Sequence, residues 1–406
     1  MDMDLRAWLL NHRILVFLLL SLVSQMLSWR LLLRQTNQPG LRRLIHLVFI
    51  VFNLGWLHFL GVIHSGQPVG SAWVWLDRPS LVWQAVHLLV ILPAAALASS
   101  GLVLFRFFTR RGRSRPDSDQ NFKAGRRNFL KSATGAGLLG LTGLTGYGVF
   151  RQGRPPGLRR RVVSIRGLPA PLDGFVIAHM TDIHLGLWFS QAELGRALEL
   201  AAAAEPHLAV FTGDLVDRNP EFARLYHEPL RALAKVPHGV WGVMGNHDHY
   251  TGPKRIAGLL NGHGLTMLVD QRVNLPDLPL TLVGLDDQGH RRLWLGEAEA
   301  LDFNSVTGPS ARPGDLKILL NHRPEGFRQA AQAGFQLYLA GHTHGGQYQL
   351  PWDSQINLAS VFFKYSSGLY GQEGGWLNVS RGLAAVGTPF RLWAWPEIDI
   401  LTLKKV

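Results

Sequence analysis

Five short stretches of this chain carry residue types that could do metal chemistry. They are TDIHLG with Asp182 and His184, TGDLVDR with Asp214 and Asp217, and MGNHDHY with Asn246, His247, Asp248 and His249. NHRPEG supplies His322, and AGHTHGGQ supplies His342 and His344. Any one of these is weak by itself, because histidines in glycine-rich turns are common. Their chemistry is coherent when taken together. Carboxylate, carboxamide and imidazole donors suit Mn, Fe, Zn or related divalent ions, and a carboxylate can bridge two of them. Two such ions about 3.5–4 Å apart would clamp the attacking and leaving oxygens of a phosphoryl transfer. The chain has no cysteine, so thiolate metal sites, disulfides and a cysteine nucleophile are excluded.

The elements that must position these residues can be read from the same sequence. Short apolar runs predict strands over 174–180, 208–211, 239–244, 280–283, 316–320 and 335–339, and each of the five stretches follows one of them. Helical patterns over 191–204 and 221–234 lie between. Strands alternating with helices argue for an α/β sheet, whose ligands gather beyond the carboxyl ends of the strands. Glycines 213, 245, 341, 345 and 346 let the backbone bend and approach an ion closely.

The order D-x-H, G-D-x-x-D, G-N-H-D, a lone H and G-H-x-H resembles the calcineurin-like metallophosphoesterases, over about residues 170–400. The resemblance implies a four-layer α/β/β/α sandwich of two packed sheets flanked by helices. It implies that Asp182, His184 and His344 hold one metal, that Asn246, His322 and His342 hold another, and that Asp214 bridges them. His247 would stand at the scissile phosphate, oriented by Asp217, and would not be a ligand. The closing segment and Gly345-Gly346-Gln347 resemble the subgroup of membrane-associated bacterial phosphoesterases typified by YkuE and YaeI. Nearer relatives of that subgroup include enzymes that cleave UDP-diacylglucosamine, which makes a lipid or nucleotide-sugar lipid an expected substrate. Arg218, Arg323 and Arg381 lie in or near the motif loops, where a guanidinium could clamp a phosphate. His249 and Asp248 read as supports of the site. The run 359–371 reads either as an apolar lip that meets lipid or as a core strand.

The first part of the chain has a different character. Residues 1–161 hold 21 Lys and Arg against 5 Asp and Glu, a net of +16, while 162–406 hold 20 against 23, a net of −3. The basic excess is therefore a topology signal, and the acidic balance of the catalytic part argues against a nucleic-acid partner. Apolar runs over 14–33, 44–63 and 81–105 are long enough to cross a bilayer, which needs about 20 helical residues. Arginines follow the first and third runs, so the amino terminus is expected outside and residues 106–127 inside. Residues 125–150, with Arg126 and Arg127 ahead of a Gly/Thr-rich apolar run, resemble a twin-arginine export signal or a fourth span. Either reading puts the catalytic part on the outer face of a multi-pass inner-membrane protein. The expected organisation is a membrane domain over 1–112, a basic linker and signal-like segment over 113–161, and a catalytic domain over 162–406. A receptor or transport module is the competing reading. His46, Asn53, His58 and His87 are the main polar groups in the spans, with no acidic relay, which supports transport poorly.

Overall fold

In the computed structural model the described residues are 13–34, 36–65, 80, 83, 84, 147, 148 and 154–406. The last stretch omits 187, 188, 288–311, 313, 373 and 387–389. The chain divides into two compact units, Met1–Val149 and Phe150–Val406.

In the first unit, helix α1 spans Arg13–Arg34 and helix α2 spans Pro39–Ser65. Among the described helices one, over Pro39–His58, is long and apolar enough to cross a membrane by length and composition. The first expected span lies on α1, which carries Arg30 and Arg34 near its end. Most of the third, and nearly all of 125–150, fall outside the described residues. Inside the unit Gln25 gathers Asn53, Trp83 and Gln84 at hydrogen-bond distances of 2.8, 3.0 and 2.6 Å.

The second unit holds two six-stranded sheets. Its strands are β1 (Gly157–Ile165), β2 (Val176–Met180), β3 (Leu208–Thr212), β4 (Val240–Val243), β5 (Thr266–Met267), β6 (Gln271–Asn274), β7 (Leu280–Gly284), β8 (Leu316–Leu320), β9 (Leu337–Ala340), β10 (Gly368–Gln372), β11 (Gly375–Val379) and β12 (Glu397–Lys405). One sheet runs β1-β12-β2-β3-β4-β5 and the other β10-β11-β9-β8-β7-β6. Strand side chains alternate between faces, and the burial follows. Ile177, Leu208, Val210, Leu282, Ile318 and Leu339 meet between the sheets. Ala178, Met180, Ala209 and Phe211 face outward onto helices α3 (Gln191–Ala202) and α5 (Pro253–Gly262) through Leu194, Leu198, Ile256 and Leu260. On the far side Leu319 and Tyr338 pack under Phe327 and Ala330 of helix α6 (Phe327–Gln332). The four-layer α/β/β/α order is therefore present.

Two local expectations need correction. Strand β1 opens at Gly157, inside the segment assigned to the basic linker, and pairs in parallel with β12, so that Arg161 lies opposite Leu401 and bonds Asp399 at 2.9 Å. The helix expected over 221–234 is instead a 3-10 turn (Pro220–Tyr226), one α-turn (His227–Leu230) and a second 3-10 turn (Arg231–Leu233). Pro229 lies in the middle of it, where it has no N–H to carry a long helix onward.

Candidate metal centre

Every ligand-type side chain sits where a strand gives way to a turn. Asp182 and His184 follow β2, and Asp214 and Asp217 follow β3. Asn246 and His247 open the short helix α4 (Asn246–Thr251) after β4. His322 follows β8, and His342 and His344 follow β9. Strands β2, β3 and β4 run parallel in one sheet, and β8 and β9 run parallel in the other. Their carboxyl ends thus deliver ligands from both sheets to one place.

The backbone there is held in an unfavourable conformation. Asp182, His184, Asp214, His342 and His344 have φ of 51°, 42°, 51°, 71° and 52°. This is the left-handed region that non-glycine residues visit rarely, and such strain concentrates at functional sites. Two glycines make the approach possible. A Cβ on Gly245 would overlap the Asp214 carboxylate, and one on Gly341 would overlap Thr181 Oγ1 and Asp182 Oδ2.

Asp214 Oδ2 lies 3.4 Å from His184 Nε2 and 3.3 Å from His322 Nε2, while its Oδ1 accepts the His247 amide at 2.8 Å. His184 Nε2 and His344 Nε2 face each other at 3.3 Å, and His344 Nε2 is 3.2 Å from Asp182 Oδ1. His342 Nδ1 stands 3.2 Å from His322 Nε2. Carbonyl oxygens orient the rings from behind: Thr212 O meets His322 Nδ1 at 2.8 Å and Ala384 O meets His344 Nδ1 at 3.0 Å, which leaves each Nε2 lone pair for an ion. Asp182, His184, Asp214 and His344, all buried, each offer one ligand atom within 4.8 Å of the others. Among the described residues, Asp182 Oδ1 and His184 Nδ1 are buried without a hydrogen-bond partner. A buried carboxylate oxygen without a hydrogen bond is costly, and a divalent cation supplies what this donor set lacks.

The charges tell the same story. Burial pushes the Asp182 carboxyl up to about 6, with Asp214 adding to it. Burial also opposes ionisation of Asp214, yet His322, His184 and His247 hold it well below the usual carboxylate range. On His322 burial opposes the charge, but Asp214, Asp182 and Asp287 together push it up to about 10. His247 is raised too, because Asp217 and Asp214 outweigh its burial. Asp217 Oδ1 is 3.7 Å from His247 Nδ1, an ion-pair separation, and the His247 ring stands edge-on to His184 at 4.6 Å.

The three arginines part company. Arg323 joins the cluster: its Nε donates to Asp287 at 2.6 Å, while Nη1 is 2.8 Å from His342 Nε2 and Nη2 is 3.4 Å from Asn246 Oδ1. Arg218 is exposed at the rim, 3.8 Å from Asp217. Arg381 is not in the cluster. It is buried behind Gly345, with its guanidinium committed to Glu397 and, at 3.0 Å, to Gln349. Asp248 accepts the amides of Leu215, Val216 and Gly245 and so ties the β3 and β4 turns together.

Three supports were not singled out from the sequence. Asp286 holds His249 at 2.7 Å and Asp287 holds Arg323; a pair of aspartates directly after the 280–283 strand was the available signal. Arg391, wholly buried, bonds Ala384 O behind His344, and nothing local in the sequence marks it.

The calcineurin-like phosphoesterase family matches residues 175–346. The chain is 33% identical to the uncharacterized metallophosphoesterase YkuE of Bacillus subtilis (strain 168), over 70% of this chain and 98% of that one. It is 31% identical to an uncharacterized metallophosphoesterase of Helicobacter pylori (strain J99), over 69% and 72% of the two chains. It is also 30% identical to a transmembrane protein with metallophosphoesterase domain from Danio rerio, over 64% of this chain and 60% of that one. The chain belongs to the calcineurin-like phosphoesterase family and is a metal-dependent phosphoesterase. Within the family it is similar to YkuE along nearly all of that protein's length. The apolar helix over Pro39–His58 and the similarity to a transmembrane relative point to membrane association.

Proposed function

We propose that the chain is a membrane-anchored phosphohydrolase or phosphodiesterase that works with two divalent ions. Asp182, His184 and His344 would hold one ion, Asn246, His322 and His342 the other, and Asp214 would touch both. The observation that carries this reading is the Asp214 carboxylate, whose Oδ2 stands almost equally far from His184 Nε2 and His322 Nε2. When bound, the ions supply charge to the phosphoryl oxygens and lower the pKa of water. The chain's own residues do the rest. His247, part-exposed and with its pKa raised against burial by Asp217 and Asp214, is placed to give a proton to the leaving oxygen. Asp217 holds its ring. Arg323, fixed by Asp287, and Arg218 at the rim offer guanidinium donors to the phosphate.

The membrane part of the proposal is multi-pass anchoring with the catalytic unit on the extracytoplasmic side. The substrate class is a phosphoester or pyrophosphate borne by a lipid or nucleotide-sugar lipid of the UDP-diacylglucosamine kind. The test is turnover by the full-length protein in detergent, with Mn, Fe or Zn, of lipid-linked, nucleotide-sugar and aryl phosphodiesters. Hydrolysis that a chelator abolishes and added metal restores is the expected result. A pure, metal-loaded protein inert toward all three would overturn the reading.

A further inference from the structure

The loop that follows the last two histidines carries apolar side chains out into solvent. Residues 349–357 form a narrow hairpin, closed by a bridge between Gln349 and Asn357 and by the Leu350 amide on the Ile356 carbonyl at 2.9 Å. A 3-10 turn, Leu358–Val361, comes next. Trp352 at the hairpin tip is 78% exposed, and Val361 and Phe362 after it are 71% and 78% exposed. Ile356 and Leu358 are more than half exposed. Surface hydrophobics scattered singly are ordinary, whereas five large ones on one loop mark an interaction surface. The exposure also decides between the two readings of Val361 and Phe362: they form a lip and are not part of a core strand.

This lip joins two features. On one side it adjoins the metal centre, where the Phe363 ring stands edge-on to His342 at 5.6 Å and the Leu358–Ala359 backbone packs on Gly346. On the other side Ser354 and Ser367, linked by a 2.9 Å hydrogen bond, line a cleft of about 180 Å³ with Arg159, Arg160, Arg161 and Arg381. Two buried acids answer those four cations: Glu397 takes Arg381 and, at 3.5 Å, Arg159, while Asp399 takes Arg161. Arg160 is exposed and makes no ion pair among the described residues. Lys364, two residues after Phe362 in sequence, holds its Nζ 5.1 Å over the Tyr365 ring. The lip's one acid, Asp353, caps its own turn by accepting the Gln355 amide at 2.9 Å.

We infer that the lip and the arginine cleft of β1 form a bilayer-docking face that sets the metal centre against an anionic leaflet, so that the phosphoester it takes is carried by a membrane lipid. The inference rests on the phosphoesterase reading and names the source of its substrate. Projecting Trp, Phe and Val side chains fit the boundary between headgroups and acyl chains, and arginines fit lipid phosphates. A leaflet is favoured over a protein partner because the same chain carries a helix apolar enough to cross a membrane, and β1 itself carries three arginines of the basic stretch 151–161. A lipid entering across the lip would bring its phosphate past Phe363 to His342.

The full-length chain makes a clean test because it has no cysteine. Phe362→Cys, labelled with an environment-sensitive dye and reconstituted in phosphatidylglycerol-containing vesicles, should shift to the blue and be quenched by brominated acyl chains. The same dye on Glu199→Cys, on the outer helix α3, should remain in water. A second arm compares hexadecyl 4-nitrophenyl phosphate in vesicles with soluble methyl 4-nitrophenyl phosphate. The double variant Val361→Ser, Phe362→Ser, and separately Arg160→Glu, should lose about tenfold on the vesicle ester while keeping the soluble ester within about twofold. A dye at 362 as wet as at 199, with equal turnover of both esters by every variant, overturns docking and leaves the phosphoesterase reading standing. A blue shift that ignores brominated lipid and grows with protein density means that a second copy covers the lip, and also overturns it. Absence of turnover of both esters by the unaltered, metal-loaded chain sinks the phosphoesterase reading itself, whatever the dye reports.

Discussion

His322 is held from both ends, its Nδ1 2.8 Å from the Thr212 carbonyl and its Nε2 3.3 Å from Asp214 Oδ2. Without an ion, the surrounding carboxylates overcome burial and push its pKa up to about 10. A raised histidine pKa stabilises the fold fully below the unfolded value, near 6.5, and that stability is lost as pH rises through the folded value. Metal ligation has the opposite sign, because an ion must displace the proton from Nε2. The gap in Tm between metal-loaded and chelator-treated protein should therefore widen from pH 6.5 towards 10. A gap that narrows over this window would mean that His322 is not a ligand.

Asp214 is expected to be the least replaceable acid. Asp214→Asn keeps the size and the acceptor for the His247 amide but removes the charge between His184 and His322. Metal content and turnover should fall together, with turnover down by at least about 10³-fold. Retention of two ions per chain with only a modest loss of rate would remove Asp214 from the bridging position.

Asp248 should behave as a structural residue. Its carboxylate accepts three buried amides, from Leu215, Val216 and Gly245. Asp248→Ala leaves all three unanswered, at a cost of roughly 3–5 kcal/mol, while Asp248→Asn keeps one acceptor and should cost less. Denaturant midpoints rank the two variants. Equal stability for Asp248→Ala and the unaltered chain would contradict the role.

Much of this site could be read from the sequence, because each motif follows a run of apolar residues that can only be a buried strand. Parallel strands then bring those ends together without any need to know the sheet order. Strand β1 could not be read in the same way. Its arginines, 159–161, look like topology signals; Val163 and Ile165 are buried in the core and Leu158 packs partly buried against it. Its partner β12 lies about 240 residues on, a pairing that no local pattern encodes. Arg381 lies outside the cluster for a similar reason: Glu397, its partner, is 16 residues away and opens β12 in the other sheet. The lip was ambiguous because Val361-Phe362-Phe363 has the same composition whether it is buried or exposed, and burial is a property of the fold.

The charge split predicts an orientation that the proposed substrate class depends on. A reporter fused after Val406 should behave as extracytoplasmic, and one fused after Arg113 as cytoplasmic. A cytoplasmic signal from the carboxyl-terminal fusion would reverse the assigned side and remove an outer-leaflet lipid as substrate.

His247 stands apart from the proposed ligands: its ring is part-exposed and faces Asp217, although together with His184 and Asp217 it lies close enough to share an ion. Its backbone amide binds Asp214 Oδ1 at 2.8 Å, and its ring, 29% exposed, sits between Asp217 and the edge of His184. Removing the ring leaves the amide in place, so His247→Gln should keep both fold and metal. The group lost is an imidazole whose pKa Asp217 and Asp214 raise against the effect of burial. Its contribution belongs to the transition state, where the leaving oxygen gains charge. Turnover of an alkyl ester should drop roughly 10²–10⁴-fold, whereas a nitrophenyl ester, whose leaving group needs no proton, should lose far less. Asp217→Asn should lie between, because it leaves the imidazole in place but removes the carboxylate that holds its charge. Metal analysis paired with rates on the two esters separates the roles. If His247→Gln loses metal as completely as Asp214→Asn, the ring is a ligand, and if both esters keep full rate it has no part in the chemistry.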